Sequence, residues 1–424
     1  MKYPELCGKR LLVLGGNSWK KAIKTFANEN GIKIICAGNN PNAGINSIAD
    51  EYYNVDSTNH DSMKDLISNK KIDGVYLGGN EIVISHACEY VNDLGLPCYC
   101  KKEQWSLMQN KEMFKQCCIN AKLPVVPQYF IDENNISLSE NIFPVITKPV
   151  DGYGSNGFSV CKNVDELING YLKAKNNSLS GKVLVEKFVR NQGNVVFYTV
   201  TNGRIVFSGL SDKYPVRFKE HGSYVGGLFV YESKNVDEFR SKYESKIQQM
   251  INNIGIKEGT FWIEVFHDGC EYYFNEAGYR YGGSVSIYPV DYLYNINQVA
   301  SDIYYALTGV SKIYGHSSLF DNLENRKRHY AIYPVYVSSG KISKIKISDK
   351  LYNENILFVI LAQGIGEVIN NSGSFGQAVM LIHIIFNSFR ELKATINQIN
   401  DNIIIYDENN NNMIIKMLDL KTIN

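Results

Sequence analysis

Lys148 stands on an apolar strand pattern, FPVITKPVDGYGSNGFSV from Phe143 to Val160, that runs directly into a glycine-rich loop. A lysine followed by Gly152, Gly154 and Gly157 offers one cation and several backbone N–H groups with no side chains in the way, a combination suited to polyphosphate. The loop lacks the Lys and Ser/Thr that close a Walker motif, and Phe158 to Cys161 alternate as a strand instead of opening a helix. Phosphates would therefore be gripped between strands. An ordinary hairpin turn uses the same Gly and Asn residues, so other parts of the chain must decide.

A second cluster is TFWIEVFHDGCEYYFNEAGYRYGGS, Thr260 to Ser284. Glu264 lies on one strand, His267-Asp268-Gly269 form a turn, and Glu276 ends the next strand, so hairpin pairing can set the two carboxylates side by side. Adjacent carboxylates repel unless a cation lies between them, and hard oxygen ligands of this kind suit Mg2+, with Mn2+ as an alternative. Arg280 adds a fixed cation able to grip a carboxylate or phosphoryl oxygen in a planar fork. A surface hairpin with an Arg salt bridge is the plainer reading, but the apolar settings WIEV and YYFNEAG predict partial burial, where an unpaired carboxylate is costly. The strand KVLVEKFV, Lys182 to Val189, can offer backbone groups to a purine edge, though alone it is an unremarkable strand.

The elements that would carry these residues change character along the chain. From Arg10, LLVLGG, IKIICAG and DGVYLGG alternate with helical stretches at Trp19 to Asn30 and after Asp61, which predicts a parallel sheet covered on both faces, Rossmann-like, to about residue 100. Its first turn, Gly15-Gly16-Asn17-Ser18, is not G-x-G-x-x-G, and Ala37-Gly38 ends the second strand without an acidic residue, which argues against a dinucleotide site. Turns at strand ends remain the ligand-facing edge, so Gly16 and the Gly79-Asn80-Glu81 turn are substrate candidates, with tight strand-to-helix turns as the plain alternative. Between Lys101 and Pro127 a helical stretch carries Lys111 and ends in Leu-Pro-Val-Val-Pro, a linker. From Val145 strands dominate, interrupted by helices near Val164 to Asn176 and Glu238 to Ile254, an α+β pattern. The segment Ser211 to Gly227 reads as a polar, glycine-marked loop in which Lys213, Arg217 and His221 are substrate candidates. A last region, from about Leu351, is expected to place β segments around a helix from Gln377 to Phe389 and to close with a turn at Asn409 to Asn412.

Composition narrows the classes of function. Basic and acidic side chains number 44 and 43, so no net field attracts nucleic acid or an anionic membrane. The nine cysteines include no C-x-x-C pair and no zinc spacing, and most sit in apolar patterns, as buried thiols in a reducing cytoplasm would. No apolar run reaches the roughly 18 residues of a membrane span, and the start MKYPELCGKR lacks a signal-peptide core.

Taken in order, these pieces resemble the ATP-grasp superfamily, in its biotin-carboxylase-like and carbamoyl-phosphate-synthetase-like branch. The resemblance implies an α/β and α+β architecture: a Rossmann-like pre-ATP-grasp domain (1–100), a two-part ATP-grasp domain with linker helices, flap and metal hairpin (101–315), and a small C-terminal α+β subdomain (316–424). It implies ATP and Mg2+ as cofactors. It further implies that Lys111 and Lys148 contact the phosphates, that Gly152, Gly154, Ser155 and Gly157 close over them, and that Glu186 with the backbone of Lys187 and Val189 faces adenine. Glu264 and Glu276 would hold the metal, and Arg280 would face the transferred phosphoryl group or acyl intermediate. Two departures stand out. Family members often carry Glu-x-Asn where this chain has Glu276-Ala277-Gly278, and Asn194 lies near the place of the usual ribose-binding acid.

The resulting expectation is an ATP-dependent carboxylate–amine ligase acting through an acyl phosphate, on small-molecule carboxylate and amine substrates. Related folds are often dimers. Carboxylation through carboxyphosphate and a non-catalytic nucleotide-binding protein are the alternatives, separated by bicarbonate dependence and by substrate-dependent ADP release.

Overall fold

The computed structural model describes residues 3–423 apart from 133, 151–156, 190–192, 221–222, 316, 321–328 and 353. The first part is a four-stranded parallel sheet in the order Glu51–Tyr53, Lys33–Ala37, Arg10–Val13, Gly74–Tyr76. Its strands are short and almost wholly apolar because helices cover both faces, and Lys20–Asn30, His60–Asn69 and Glu81–Asp93 supply that cover. Asn80 caps the last of these, its side chain accepting from the N–H groups of Ile82 and Val83.

The linker holds two helices, Lys102–Gln109 and Lys111–Asn120, and Asn110 is the break between them. Its side-chain oxygen accepts from the N–H groups of Glu112 and Met113, which starts the second helix with Lys111 as its first residue. A small antiparallel sheet follows, ordered Gln128–Tyr129, Val183–Lys187, Val145–Pro149, Ser159–Cys161, with helix Val164–Asn176 packed against it.

The largest layer is an eight-stranded antiparallel sheet, ordered Tyr272–Gly278, Gly259–His267, Gly193–Thr201, Arg204–Arg217, Tyr224–Tyr231, His329–Tyr336, Ala378–Phe386, Ile356–Leu361. One face buries Val196, Tyr198, Phe261 and Ile263 together with helix Val236–Ile254; the other buries Phe197, Phe229 and Tyr231 with helices Ile287–Tyr294 and Gln298–Thr308. Helix Gln298–Thr308 also packs on strand Gly74–Tyr76 and so joins the first sheet to the large one. Three strands from beyond residue 316 continue the same sheet, so the C-terminal region shares the main layer.

Two expectations are corrected. Residues 378–386, AVMLIHIIF, form a strand buried along its whole length, and the helix lies later, at Phe389–Asn402, behind the cap Ser388. A strand buried on both faces shows no alternation, so its apolar run reads equally as a buried helix. The supposed loop 211–227 is instead most of a hairpin, Arg204–Arg217 with Tyr224–Tyr231. Its polar residues mislead because Asp212 lies inside the sheet, where Asn194 Nδ2 (2.7 Å) and Ser233 Oγ (2.6 Å) satisfy one of its oxygens. The asparagine-rich turn is present: Asp407 accepts from the N–H groups of Asn409 and Asn411, both at 2.8 Å.

Candidate active site

Glu264 and Glu276 are direct cross-strand partners, so their Cβ atoms are separated by only about 5 Å. Strand period carries the neighbours along: Trp262 opposes Gly278 on the same face, two residues before Glu264 and two after Glu276. Glu264 Oε1 accepts from Lys213 Nζ at 2.6 Å and Oε2 from Asn275 Nδ2 at 2.9 Å. Lys213 reaches Glu264 from two strands away, across Gly193, its partner on the intervening strand.

The electrostatics of the pair are asymmetric. Burial works to raise the Glu264 pKa, but Lys213, and then Asn275 and Lys148, hold it below the ordinary carboxyl value. Glu276 is pushed up, first by burial and then by the charge of Glu264, although Lys111, Lys148 and Lys213 pull the other way. Lys111 Nζ lies 3.7 Å from Glu276 Oε2. Lys148 of the small sheet thus acts on both carboxylates of the large one, so its strand faces their hairpin.

On the small sheet, Glu186 is fully buried and carries a lysine on each oxygen: Lys115 on Oε1 and Lys148 on Oε2, the latter at 2.6 Å. Burial works to raise its pKa, and Lys148 with Lys115 outweighs that and holds it low. Lys115 was not among the expected residues. It follows Lys111 by four positions, so one helix face sends Lys111 to the carboxylate hairpin and Lys115 to strand Val183–Lys187; that i,i+4 spacing is the available signal.

Arg280 pairs with Glu81 through Nε (3.1 Å) and Nη2, donates from Nη1 to the Tyr281 carbonyl at 2.8 Å, and lies over the Trp262 ring at 5.4 Å. Burial works to raise the Glu81 pKa, and Arg280 outweighs it. The Rossmann-edge turn and the metal hairpin therefore meet at this ion pair. Gly16, with φ +104, lies in the adjoining turn, where a Cβ would collide with the Trp19 indole at 2.6 Å; Trp19 in turn packs edge-on against Tyr281.

Other expected residues lie elsewhere. Arg217 is exposed, over the Tyr224 ring, four strand residues beyond Lys213, or about 13 Å along the strand. Asn194 is buried with its amide committed to Asp212 and to the Ser211 carbonyl. The ammonium of Lys187 lies 3.9 Å from Asp268, and its N–H goes to the Pro127 carbonyl at 2.9 Å. Gly157 has φ +76 and packs against Pro149, a position only glycine fits easily. Val189 is half-buried at the end of its described segment. Gly152, Gly154, Ser155 and His221 lie outside the described residues.

The donor set fits a magnesium ion. Two in-register carboxylates, one of them with its pKa raised by burial and then by the charge of the other, are a pair that a divalent cation relieves, and Mg2+ commonly takes one or two carboxylates plus waters and phosphate oxygens. Among the described residues no cluster of three or more acidic, His or Cys side chains could hold a metal. No helix among the described residues is long and apolar enough to cross a membrane.

The chain is similar to several known proteins. The family model for the carbamoyl-phosphate synthase L chain ATP-binding domain matches residues 110–203, from the linker cap through Lys148 and Glu186. A formate-dependent phosphoribosylglycinamide formyltransferase of Proteus mirabilis is 22% identical over 277 residues, covering 64% of this chain and 68% of that protein. Among solved structures, the biotin carboxylase domain of the Hydrogenobacter thermophilus 2-oxoglutarate carboxylase superposes with a TM-score of 0.74 at 17% identity, covering 96% of this chain and 91% of that one. An L-amino acid ligase from Bacillus licheniformis gives 0.72 at 17% identity, covering 95% and 99%. With the parallel sheet, the small sheet and the carboxylate hairpin in this order, the chain has the fold of these biotin carboxylase and L-amino acid ligase structures, and its residues 110–203 resemble the carbamoyl-phosphate synthase L chain ATP-binding domain.

Proposed function

We propose that the chain is an ATP-dependent carboxylate–amine ligase. The observation that carries this reading is the pairing of Glu264 with Glu276 under three lysines, Lys111, Lys148 and Lys213, delivered by three separate elements. A cleft with that charge pattern is built for a polyphosphate with a divalent cation, and phosphoryl transfer needs little else from a protein than positioning and charge.

In this reading a substrate carboxylate oxygen attacks the γ-phosphorus, the bond to the β-bridging oxygen breaks, and ADP leaves. An amine nitrogen then attacks the acyl carbon, phosphate departs with the former carboxylate oxygen, and the nitrogen loses a proton to give the amide. Lys148 and Lys111 offset charge on the transferring oxygens. Glu264 and Glu276 would hold Mg2+, which when bound neutralises phosphate charge. Arg280 would orient the carboxylate or its acyl phosphate, with Glu81 occupying its fork in the absence of substrate.

The neighbours' printed names fit this chemistry: an L-amino acid ligase, and a formyltransferase that depends on formate. The biotin carboxylase neighbour is described as a dimer with MgADP and bicarbonate, which supports a homodimer here and keeps carboxyphosphate formation as the rival. An ADP-release screen of carboxylates paired with amines, with Mg2+ and mass spectrometry of the products, tests the proposal. ADP release that needs both partners supports it; release that needs bicarbonate and no amine replaces it with the rival, and no substrate-dependent release with any partner rejects catalysis.

A further inference from the structure

Glu186 has one more cation than neutrality requires. Its carboxylate is wholly buried, yet both Lys115 and Lys148 hold it, with side chains only 9% and 16% exposed. Burial pushes the Lys115 ammonium down, Glu186 opposes that, and the charge of Lys148 adds to it. Lys148 also acts on Glu264 and Glu276 of the opposed hairpin, so it is a cation shared between two carboxylate sites, whereas Lys115 sits on Glu186. The two lysines also come from different bodies. Lys148 shares the small sheet with Glu186, on the adjacent strand, whereas Lys115 comes from the linker helix that packs on the metal hairpin.

We propose that Lys115 is a positioning residue, a resident counter-ion that frees Lys148 for the nucleotide. The inference rests on the reading that Lys148 engages a phosphate. To do so it must give up Glu186 Oε2, and a fully buried carboxylate left without a partner would pull it back. With Lys115 fixed on Oε1, the carboxylate stays neutralised while Lys148 exchanges one oxygen for another. Lys111, one turn earlier on the same helix, is held by Glu276, so closure of the small sheet and occupation of the carboxylate hairpin share one rigid element.

The test is a double-mutant cycle read as Mg·ADP affinity by calorimetry on the full chain. Lys115→Met leaves Lys148 as the sole partner of Glu186, and nucleotide affinity should fall by about tenfold or more. Glu186→Gln removes the carboxylate that pins Lys148, so Lys115→Met in the Glu186→Gln background should change affinity by less than about threefold. That strongly non-additive pattern is the signature; a purely structural lysine would not give it. Because Lys115→Met alone could fail to fold, the neutral double variant and Lys115→Arg, which should bind within about threefold of wild type, carry the decision as well. Equal losses in both backgrounds overturn the proposal, as they would place Lys115 on the nucleotide itself; so does wild-type affinity in folded Lys115→Met. A wild type that binds no Mg·ADP overturns both this proposal and the site reading beneath it.

Discussion

The Trp262 indole fills the space above its cross-strand partner Gly278: a Cβ at 278 would stand 2.5 Å from both Nε1 and Cε2 of the ring. The missing third oxygen ligand at 278 is therefore no vacancy into which a water or a new side chain can simply be placed. The sheet face has been given to an indole that also carries Arg280. Gly278→Asn should cost about 1–3 kcal/mol through overpacking, and Trp262→Ala in the same chain should recover part of that loss. Equilibrium unfolding in urea checks this; a Gly278→Asn protein as stable as wild type would contradict the packing.

Glu276 separates stability from function. Its pKa is raised by burial and by Glu264, so its contribution to folding is full below the unfolded carboxyl pKa and is lost as pH rises through the higher folded value. Near pH 7, Glu276→Gln should therefore melt at a higher temperature than wild type without metal, yet bind Mn2+ at least about tenfold more weakly with nucleotide present, by electron paramagnetic resonance titration. A variant that loses stability and keeps its Mn2+ affinity would place the metal elsewhere.

Arg280 directs both Nε and Nη2 to Glu81 Oε1 and lies over the Trp262 ring, a pair of contacts a lysine cannot copy. Arg280→Lys should lower kcat/KM for the carboxylate by about 100-fold or more while Mg·ADP affinity stays within about threefold. Loss of nucleotide affinity by the same factor would move Arg280 from the carboxylate to the phosphates.

Asp302, which shares a cavity with Arg280, gives a pH signature in stability. It accepts from the Tyr281 hydroxyl in a small cavity of about 20 Å3 between the first sheet and the large one, and burial raises its pKa to about 7. Its raised pKa favours folding below about pH 4 and that advantage is lost as pH rises to about 7. Asp302→Asn removes the ionisation and keeps an acceptor for Tyr281, so its melting temperature relative to wild type should climb between pH 4 and 7 and level off above. A constant offset across that range would mean that Asp302 does not change charge there.

What the sequence discloses follows from how local each cause is. The Glu264–Glu276 pair is legible because hairpin register depends on a short turn between two strands, and the parallel sheet is legible because short apolar strands alternate with helices. Lys115 is not, because its role depends on Glu186, 71 residues away. The strand 378–386 is hidden by burial on both faces, and Asp212 and Lys213 disguise a strand as a loop because the partners that satisfy them come from elsewhere, Asn194 and Glu264 from other strands and Ser233 from beyond the end of the neighbouring one. Trp262 reads as one more apolar strand residue until Gly278 is set opposite it.

The acyl phosphate is best tested by oxygen transfer. The carboxylate that supports ADP release, labelled with 18O in its carboxyl group, is turned over with ATP, Mg2+ and amine, and the released phosphate is analysed by mass spectrometry. The account predicts one labelled oxygen in each phosphate; phosphate that carries no label, with amide formed, would contradict it.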